Sequence, residues 1–386
     1  MQLNTVMQYA DSHDDLIEDI ADLGHEISLI IQGPMGWGKS AMLHTLGKMP
    51  KFESHTLVYI DCTTKSDSGD FFMIKYGEDG KTFVTVPHEE LGLHLEGPVV
   101  LMFDEIGKMP RSAFNAVLRI LYERKSGMMS LHPDSVVFAT TNLAAEGLGD
   151  LLPPHGINRC QVRTYKVPTK MGWLSWAVPN GIHDFIMSYA NQNDHIFTCF
   201  LEHEEIGQYP ELYDPRAVNK PVAYVTGRSM ENASHVFHAY DRRIEAAMAE
   251  GTYQQGGDLE KKYQRVLLNG LVGTVGPVAA NHMMTYFKMQ DEIPTRDQII
   301  QNPMGAPIPK SGAAKCLLIS RTLKDMDREF AAPWMTYLMR EGFTKVDQAL
   351  FGMGTRIKTY PREKLRAVTG STQYQQWAET NSHLFG

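Results

Sequence analysis

The stretch LIIQGPMGWGKSAML, from Leu29 to Leu43, places three glycines and a single lysine between two apolar segments. Within it, Gly33–Ser40 satisfies the pattern G-x-x-x-x-G-K-[ST] at every fixed position. The glycines let the backbone curl so that successive N–H groups point inward, where they can bind phosphate oxygens. The helix predicted to follow adds the partial positive charge of its N-terminus. The stretch therefore predicts a phosphate-binding loop between a strand and a helix.

Two side chains of this loop have predicted roles of their own. Lys39 can reach the β- and γ-phosphates of a nucleotide, and the hydroxyl of Ser40 can bind Mg²⁺. The alternative is a glycine-rich turn that matches the pattern by chance, but the strand before the loop and the helix after it favour a phosphate site. The predicted nucleotide-binding residues are Gly33, Pro34, Met35, Gly36, Trp37, Gly38, Lys39, Ser40 and Ala41.

The first part of the chain alternates short β-prone runs with helical patterns. The predicted strands are HEISLII (25–31), HTLVYID (55–61), PVVLMFD (98–104), SVVFATT (135–141) and CQVRTYKV (160–167). Three of them are almost continuously apolar, as parallel strands covered on both faces should be. After Pro110, the residues Phe114, Val117, Leu118 and Leu121 have the spacing of a buried helix face. The pattern predicts an α/β fold with an open parallel sheet.

The pattern becomes helical after Pro168, which predicts three regions. These are an α/β nucleotide-binding domain at 1–168, a helical lid domain at 169–290 and a helical C-terminal region at 291–386.

Composition excludes several classes of protein. The 386 residues carry a formal net charge of -8, which does not favour nucleic acid as the partner. The four cysteines lie far apart and form no CxxC pair, so neither a disulfide framework nor a zinc site is expected, and the fifteen histidines show no metal-ligand spacing. The acidic N-terminus lacks the apolar core of a signal peptide, and no apolar run is long enough for a bilayer. We therefore expect a cytoplasmic protein with no membrane partner.

Polar residues end two of the apolar strands. Asp104 and Glu105 follow VVLMF, where Asp104 can help to hold Mg²⁺ and Glu105 can activate the attacking water. Asn142 follows SVVFATT, where its amide can hydrogen-bond that water or the γ-phosphate. The alternatives are solvated acids at a strand end and a turn-forming asparagine.

Together these residues resemble the Walker A, Walker B and sensor 1 motifs of AAA+ ATPases. The segment LLPPHGINRCQVRTYKVP resembles the one that carries an arginine finger, here Arg159, and YVTGRSMENASHVF resembles the lid segment with sensor 2, here Arg228. Arg216, in YDPRAV, competes for the sensor 2 role. With FDEIGKMPRSAFNAVLRILYER and WLSWAVPNGIHDFI, these segments are similar to the MoxR-like branch.

The sequence departs from that branch in four places. Gly227 replaces the proline usual before the sensor 2 arginine, Met230 replaces a tryptophan, and Cys160 replaces an aromatic residue after the finger. The segment 125–135 is short for the hairpin that MoxR proteins insert before sensor 1.

The resemblance implies an αβα sandwich with a five-stranded parallel sheet, a helical lid and a helical C-terminal region. It implies an ATPase that uses ATP and Mg²⁺, with Ser40 and Asp104 at the metal and Glu105, Asn142, Arg159 and Arg228 in catalysis. It also implies a homo-oligomeric, hexameric ring, in which Arg159 acts across a subunit boundary, and a protein client such as a von Willebrand factor A domain protein. Two alternatives stay open: a nucleic-acid motor or loader on the same fold, and a nucleotide-gated scaffold that barely hydrolyses ATP.

Two further segments have two interpretations each. Phe71 and Phe72 lie where AAA+ rings project pore loops, but core packing explains them equally well, and KYGEDGKTFVTV predicts a hairpin beside them. A basic stretch near the C-terminus fits nucleic acid or, preferably, a solvated helix face. Its residues are Arg356, Lys358, Arg362, Lys364 and Arg366.

Overall fold

The structure is a computed structural model that describes residues 9–146, 158–218, 223–288, 293–356 and 360–381. The strands are β1 Leu29–Gly33, β2 Thr56–Asp61, β3 Phe72–Tyr76, β4 Phe83–Pro87, β5 Val99–Asp104, β6 Lys125–Ser126, β7 Met129–Ser130, β8 Val136–Asn142 and β9 Gln161–Thr164. The helices are α1 His13–Leu23, α2 Met42–Gly47, α3 Arg111–Glu123, α4 Lys170–Ala177, α5 Asp184–Gln192, α6 Gly227–Ala249, α7 Asp258–Val275, α8 Pro277–Lys288, α9 Arg296–Gln301, α10 Gly312–Asp325, α11 Arg328–Leu338, α12 Lys345–Arg356, α13 Arg362–Thr369 and α14 Thr372–Thr380.

The five predicted strands form one parallel sheet in the order β2-β5-β8-β1-β9, which confirms the predicted fold class. The central strands β5 and β8 are buried along their whole length, because helices cover both faces of the sheet. The pairing sets Gly33 opposite Asn142 and Asp61 opposite Asp104. The polar residues that end these strands are thereby gathered at the carboxyl edge of the sheet.

Helices pack on both faces of the sheet and complete the αβα layers. The predicted helix after Pro110 is α3, and its face of Phe114, Val117 and Leu121 lies in a core with strand residues such as Leu101. On the sheet's other face, α1 contacts β8, and α2 contacts β2 and β5. A capping box stabilises the start of α1, since Ser12 and Asp15 each accept the other's backbone N–H.

The predicted hairpin is present as β3 and β4, which pair antiparallel. Phe71, just before it, is fully buried in the core, and Phe72 packs partly buried against the same core. Core packing therefore explains Phe71, and the pore interpretation does not apply to it. The segment 125–135 holds only the two-residue strands β6 and β7.

The chain divides into two compact units by its internal contacts. The first comprises residues 1–168, 198–208 and 214–220, and the second comprises 169–197, 209–213 and 221–386. The boundaries drawn from the sequence, including the one at residue 290, stay a prediction.

In the described part of the second unit, the α-helices are α4 to α14. Within it α6 packs on α7, α7 on α8, and α10 on both α5 and α12. The break between α7 and α8 falls at Gly276, whose φ of 83° favours glycine, and a Cβ there would lie 2.6 Å from the Ala223 carbonyl oxygen. Among the helices of the described ranges, none has both the length and the apolar composition needed to cross a bilayer.

Candidate nucleotide-binding site

The loop after β1 has a shape that glycine and one tyrosine determine. Gly36 and Gly38 have φ angles of 74° and 96°, in the left-handed region where a side chain is disfavoured. At Gly33, a Cβ would lie 2.8 Å from the Cβ of Tyr165. The Tyr165 hydroxyl donates a hydrogen bond of 2.7 Å to the carbonyl of Trp37. The loop is thus held in a fixed curve ahead of a single 3₁₀ turn, Lys39–Ala41, that leads into α2.

Lys39 is folded back over this loop and is only 6% exposed. Its Nζ donates to the carbonyls of Gly33 at 2.7 Å and Pro34 at 2.8 Å, and to Asn142 Oδ1 at 3.0 Å. Burial of an ammonium group costs free energy unless its N–H groups are hydrogen-bonded, and these three acceptors provide the bonds. These bonds hold the positive charge against the loop, between Gly33 and Asn142.

Asn142 connects Lys39 to Glu105. Its Oδ1 accepts from Lys39, and its Nδ2 donates to Glu105 Oε2 at 2.8 Å. Lys108 Nζ lies 3.0 Å from the same glutamate oxygen. Three of the residues singled out in the sequence are thus joined through one amide.

The backbone at Glu105 adopts the left-handed conformation, with φ 58° and ψ 38°. A non-glycine residue held there stores about 1–3 kcal/mol, and such residues cluster at functional sites. The turn begins directly after β5 ends at Asp104, and the Glu105 N–H contacts Thr140 Oγ1 at 3.4 Å. This turn directs the glutamate toward Asn142 instead of along the strand.

Asp104 is 5% exposed and accepts hydrogen bonds from three hydroxyl groups. Ser40 Oγ and the Tyr59 hydroxyl donate to Oδ2 at 2.7 and 2.9 Å, and Thr140 donates to Oδ1. The carboxylate and hydroxyl oxygens of Asp104 and Ser40 are the hard ligands that Mg²⁺ prefers, so these residues fit that ion. Burial and the bond to Asp104 raise the pKa of Tyr59, which keeps its hydroxyl a donor at ordinary pH.

Sequence reasoning missed three residues of the site: Tyr59, Thr140 and Glu146. Thr140 carries a usable signal, since it lies two positions before Asn142 on one face of β8. Glu146 is 3% exposed, and its Oε1 accepts the backbone N–H of Met35 at 3.3 Å. Burial raises the pKa of its carboxyl group, although nearby Lys39 opposes the shift. No motif marks Tyr59 or Glu146, because their contacts depend on the order of the strands and on the path after β8.

Arg159 lies away from the loop of its own chain. It precedes β9, whose first residue Gln161 pairs with Leu29 at the amino end of β1, whereas the loop begins at the carboxyl end. Its side chain is exposed, and its guanidinium carbon lies 5.6 Å from the centre of the Tyr122 ring. The sheet therefore separates Arg159 from its own Lys39.

The two candidates for sensor 2 have different surroundings. Arg228 is the second residue of α6 in the second unit, and it is exposed. Arg216 belongs to the first unit and binds Asp214 with two bonds, Nε to Oδ1 at 2.9 Å and Nη2 to Oδ2 at 2.8 Å. This pairing lowers the pKa of Asp214 to about 2. Arg216 thus has a structural partner in its own unit.

Among the described residues of the second unit, three side chains of metal-ligand type lie close together, which sequence spacing did not reveal. His183, His238 and Asp241 bring one ligand atom each within 4.8 Å of one another. His183 Nδ1 accepts the N–H of Phe185 at the start of α5, so its Nε2 carries the proton and donates to Asp241 at 2.9 Å. His183 has no lone pair left for a metal, and its imidazole caps the start of α5.

Part of the first unit is similar to a known protein family. Residues 28–153 match the AAA domain of the dynein-related subfamily. Among solved structures, a proline-to-glycine variant of Thermotoga maritima RuvB is similar with a TM-score of 0.31 and 11% identity, over 76% of this chain and 79% of that one. Hsp104, in a closed state with ATPγS and casein, is similar with a TM-score of 0.30 and 14% identity, over 47% of this chain and 38% of that one. No curated protein matches the sequence.

The fold and the site define a P-loop nucleotide-binding protein. The match over residues 28–153 supports an AAA+ P-loop ATPase domain in that segment.

Proposed function

We propose that this protein is a MoxR-like AAA+ ATPase that binds ATP with Mg²⁺, hydrolyses it, assembles into a homo-oligomeric ring and remodels or loads a protein partner. The observation that carries the proposal is the joined set Lys39–Asn142–Glu105 beside the bonded pair Ser40–Asp104. A phosphate site, an acid for water activation and a metal pair meet there at one edge of the sheet.

Each residue of this set has a chemical task. Lys39 exchanges its carbonyl acceptors for phosphate oxygens, which keep its charge paired. Ser40 and Asp104 would hold Mg²⁺, and the ion would neutralise charge on the phosphates. Glu105 takes a proton from the attacking water, and Asn142, bonded to Glu105, orients that water.

The ring supplies the residue that the chain cannot supply to itself. An arginine finger stabilises charge on the transferring phosphoryl group. Arg159 is exposed and at the opposite end of the sheet from its own loop, so we assign it to the site of a neighbouring subunit. The proposed number of six subunits in the ring rests on the resemblance to the MoxR-like branch.

Mixing two inactive variants tests the ring. Arg159→Ala subunits should bind ATP and hydrolyse it poorly. Glu105→Gln subunits keep Arg159, but their own ATPase site is inactive. Mixed rings should recover part of the ATPase activity, because an intact Glu105 site then meets an intact Arg159. Phosphate release is measured across mixing ratios, with subunit exchange verified by fluorescence transfer between labelled subunits. Exchange without recovery at any ratio would show that Arg159 does not act in trans.

A second pair of variants separates the candidates for sensor 2. We expect Arg228→Ala to lower kcat by about a hundredfold, the cost of removing one group that stabilises transition-state charge. Arg216→Ala should leave kcat near wild type, since it removes a structural ion pair with the buried carboxylate of Asp214 and not a group predicted to contact the nucleotide. Steady-state kinetics with melting curves decide between them. The reverse ranking would transfer the role to Arg216.

A protein client is favoured over nucleic acid by the formal net charge of -8. A von Willebrand factor A domain partner follows from the resemblance alone. Strong stimulation of ATP hydrolysis by DNA or RNA would favour the nucleic-acid motor instead. Stable rings with negligible turnover would favour the nucleotide-gated scaffold.

A further inference from the structure

The carboxylate of Asp104 accepts hydrogen bonds from hydroxyl groups on three different elements of the fold. Ser40 comes from the phosphate-binding loop, Thr140 from β8 and Tyr59 from the edge strand β2. Ser40 and Tyr59 share Oδ2, while Thr140 occupies Oδ1. Both oxygens of the predicted metal ligand are therefore oriented by the protein.

The register of β2 explains how Tyr59 reaches this acid. β2 runs parallel to β5 with Asp61 opposite Asp104. Side chains alternate along a strand, so Tyr59 and Asp104 lie on the same face, two residues apart, which a phenol can span. Val58 points to the other face and is buried in the core, whereas Tyr59 is 50% exposed. The ring of Tyr59 thus adds little to the core, and the specific partner of this residue is Asp104.

We propose that Tyr59 is a positioning residue for the magnesium site, which holds Asp104 in the orientation where it and Ser40 bind the ion together. This inference rests on the proposed function, because the ion arrives with the nucleotide. Tyr59 acts on the ion through Asp104 and is not itself a ligand. Outer partners that orient a metal-binding carboxylate typically contribute about 10–100-fold in metal affinity.

The proposal predicts a split between metal affinity and nucleotide affinity. Tyr59→Phe removes one oxygen and keeps the ring, and it leaves Lys39 and the loop unchanged. ATP binding without metal should therefore stay within about twofold of wild type, since charge pairing with Lys39 supplies it. The affinity of the ATP-bound protein for a divalent ion should fall by about tenfold.

Both affinities are measured in a Glu105→Gln background, so that ATP is not consumed. ATP is titrated by calorimetry in the presence of a chelator. Mn²⁺ is then titrated into protein held in excess over ATP, and free Mn²⁺ is followed by electron paramagnetic resonance. The matched control is Tyr76→Phe, the same substitution at a ring on β3 that is 68% exposed.

Three outcomes bear on the proposal besides the expected one. Equal Mn²⁺ affinity in Tyr59→Phe and Tyr76→Phe overturns it. A matching loss of metal-free ATP binding in Tyr59→Phe also overturns it, because that loss indicates general damage to the site. If the protein with native Tyr59 binds no ATP at all, the proposed function fails and this inference fails with it.

Discussion

Glu105→Gln is expected to bind ATP normally and to lose hydrolysis by about 10²–10⁴-fold, the usual contribution of a general base. Glutamine has the same size, and its side-chain oxygen can still accept the bond from Asn142 Nδ2. What it lacks is the ability to take the proton of the attacking water. ATP affinity is measured by calorimetry, and turnover by phosphate release.

The same variant should keep its nucleotide and therefore retain oligomers and a bound client. Size-exclusion chromatography with ATP, followed by affinity capture and mass spectrometry, tests both. Glu123→Gln is the matched control, because Glu123 is an exposed acid at the end of α3 whose carboxylate pairs with Arg119 on the same helix. Near-normal turnover in Glu105→Gln would remove Glu105 from the catalytic role.

Lys39→Ala is expected to abolish measurable ATP binding. Each hydrogen bond from a charged donor is worth about 1.5–3 kcal/mol, and Lys39 is predicted to make such bonds to two phosphates. The combined loss corresponds to a fall in affinity of roughly a hundredfold or more. Calorimetric titration with ATP measures it.

The control for this variant is Lys48→Ala, since Lys48 is exposed in the turn after α2. Circular dichroism and melting curves establish that Lys39→Ala is folded, which matters because three acceptors lose their donor. A folded Lys39→Ala protein with unchanged ATP affinity would refute the phosphate-loop interpretation of Gly33–Ser40.

Much of the first unit could be predicted from the sequence because its signals are local. The run that became β5 is apolar up to Asp104, and the run that became β8 begins with four apolar residues; the structure buries both strands along their whole length. The phosphate-binding loop was predicted from the spacing of its glycines, and two of these glycines have φ angles in the left-handed region that favours glycine. Asp104 and Asn142 each end a strand of the parallel sheet, so both lie at its carboxyl edge.

The remainder of the site depends on contacts between distant segments. Tyr59 meets Asp104 only because β2 lies beside β5, and no pattern within β2 states which strand is its neighbour. The cluster of His183 and Asp241 arises in the same way, because α5 and α6 are far apart in sequence but bring these residues together in space. Phe71 could not be assigned to the core or a pore until its burial was known.

The single amide of Asn142 has a consequence for how this site can evolve. Its oxygen is used by Lys39 and its nitrogen by Glu105, so the phosphate-binding cation and the water-activating acid share one small group. Energies of residues in one hydrogen-bond network do not add, and a change at one position alters what the others contribute. A replacement at position 39 is therefore expected to change what the acid at 105 contributes, and the reverse. We expect the three positions to evolve together, with a replacement at one compensated by a replacement at another.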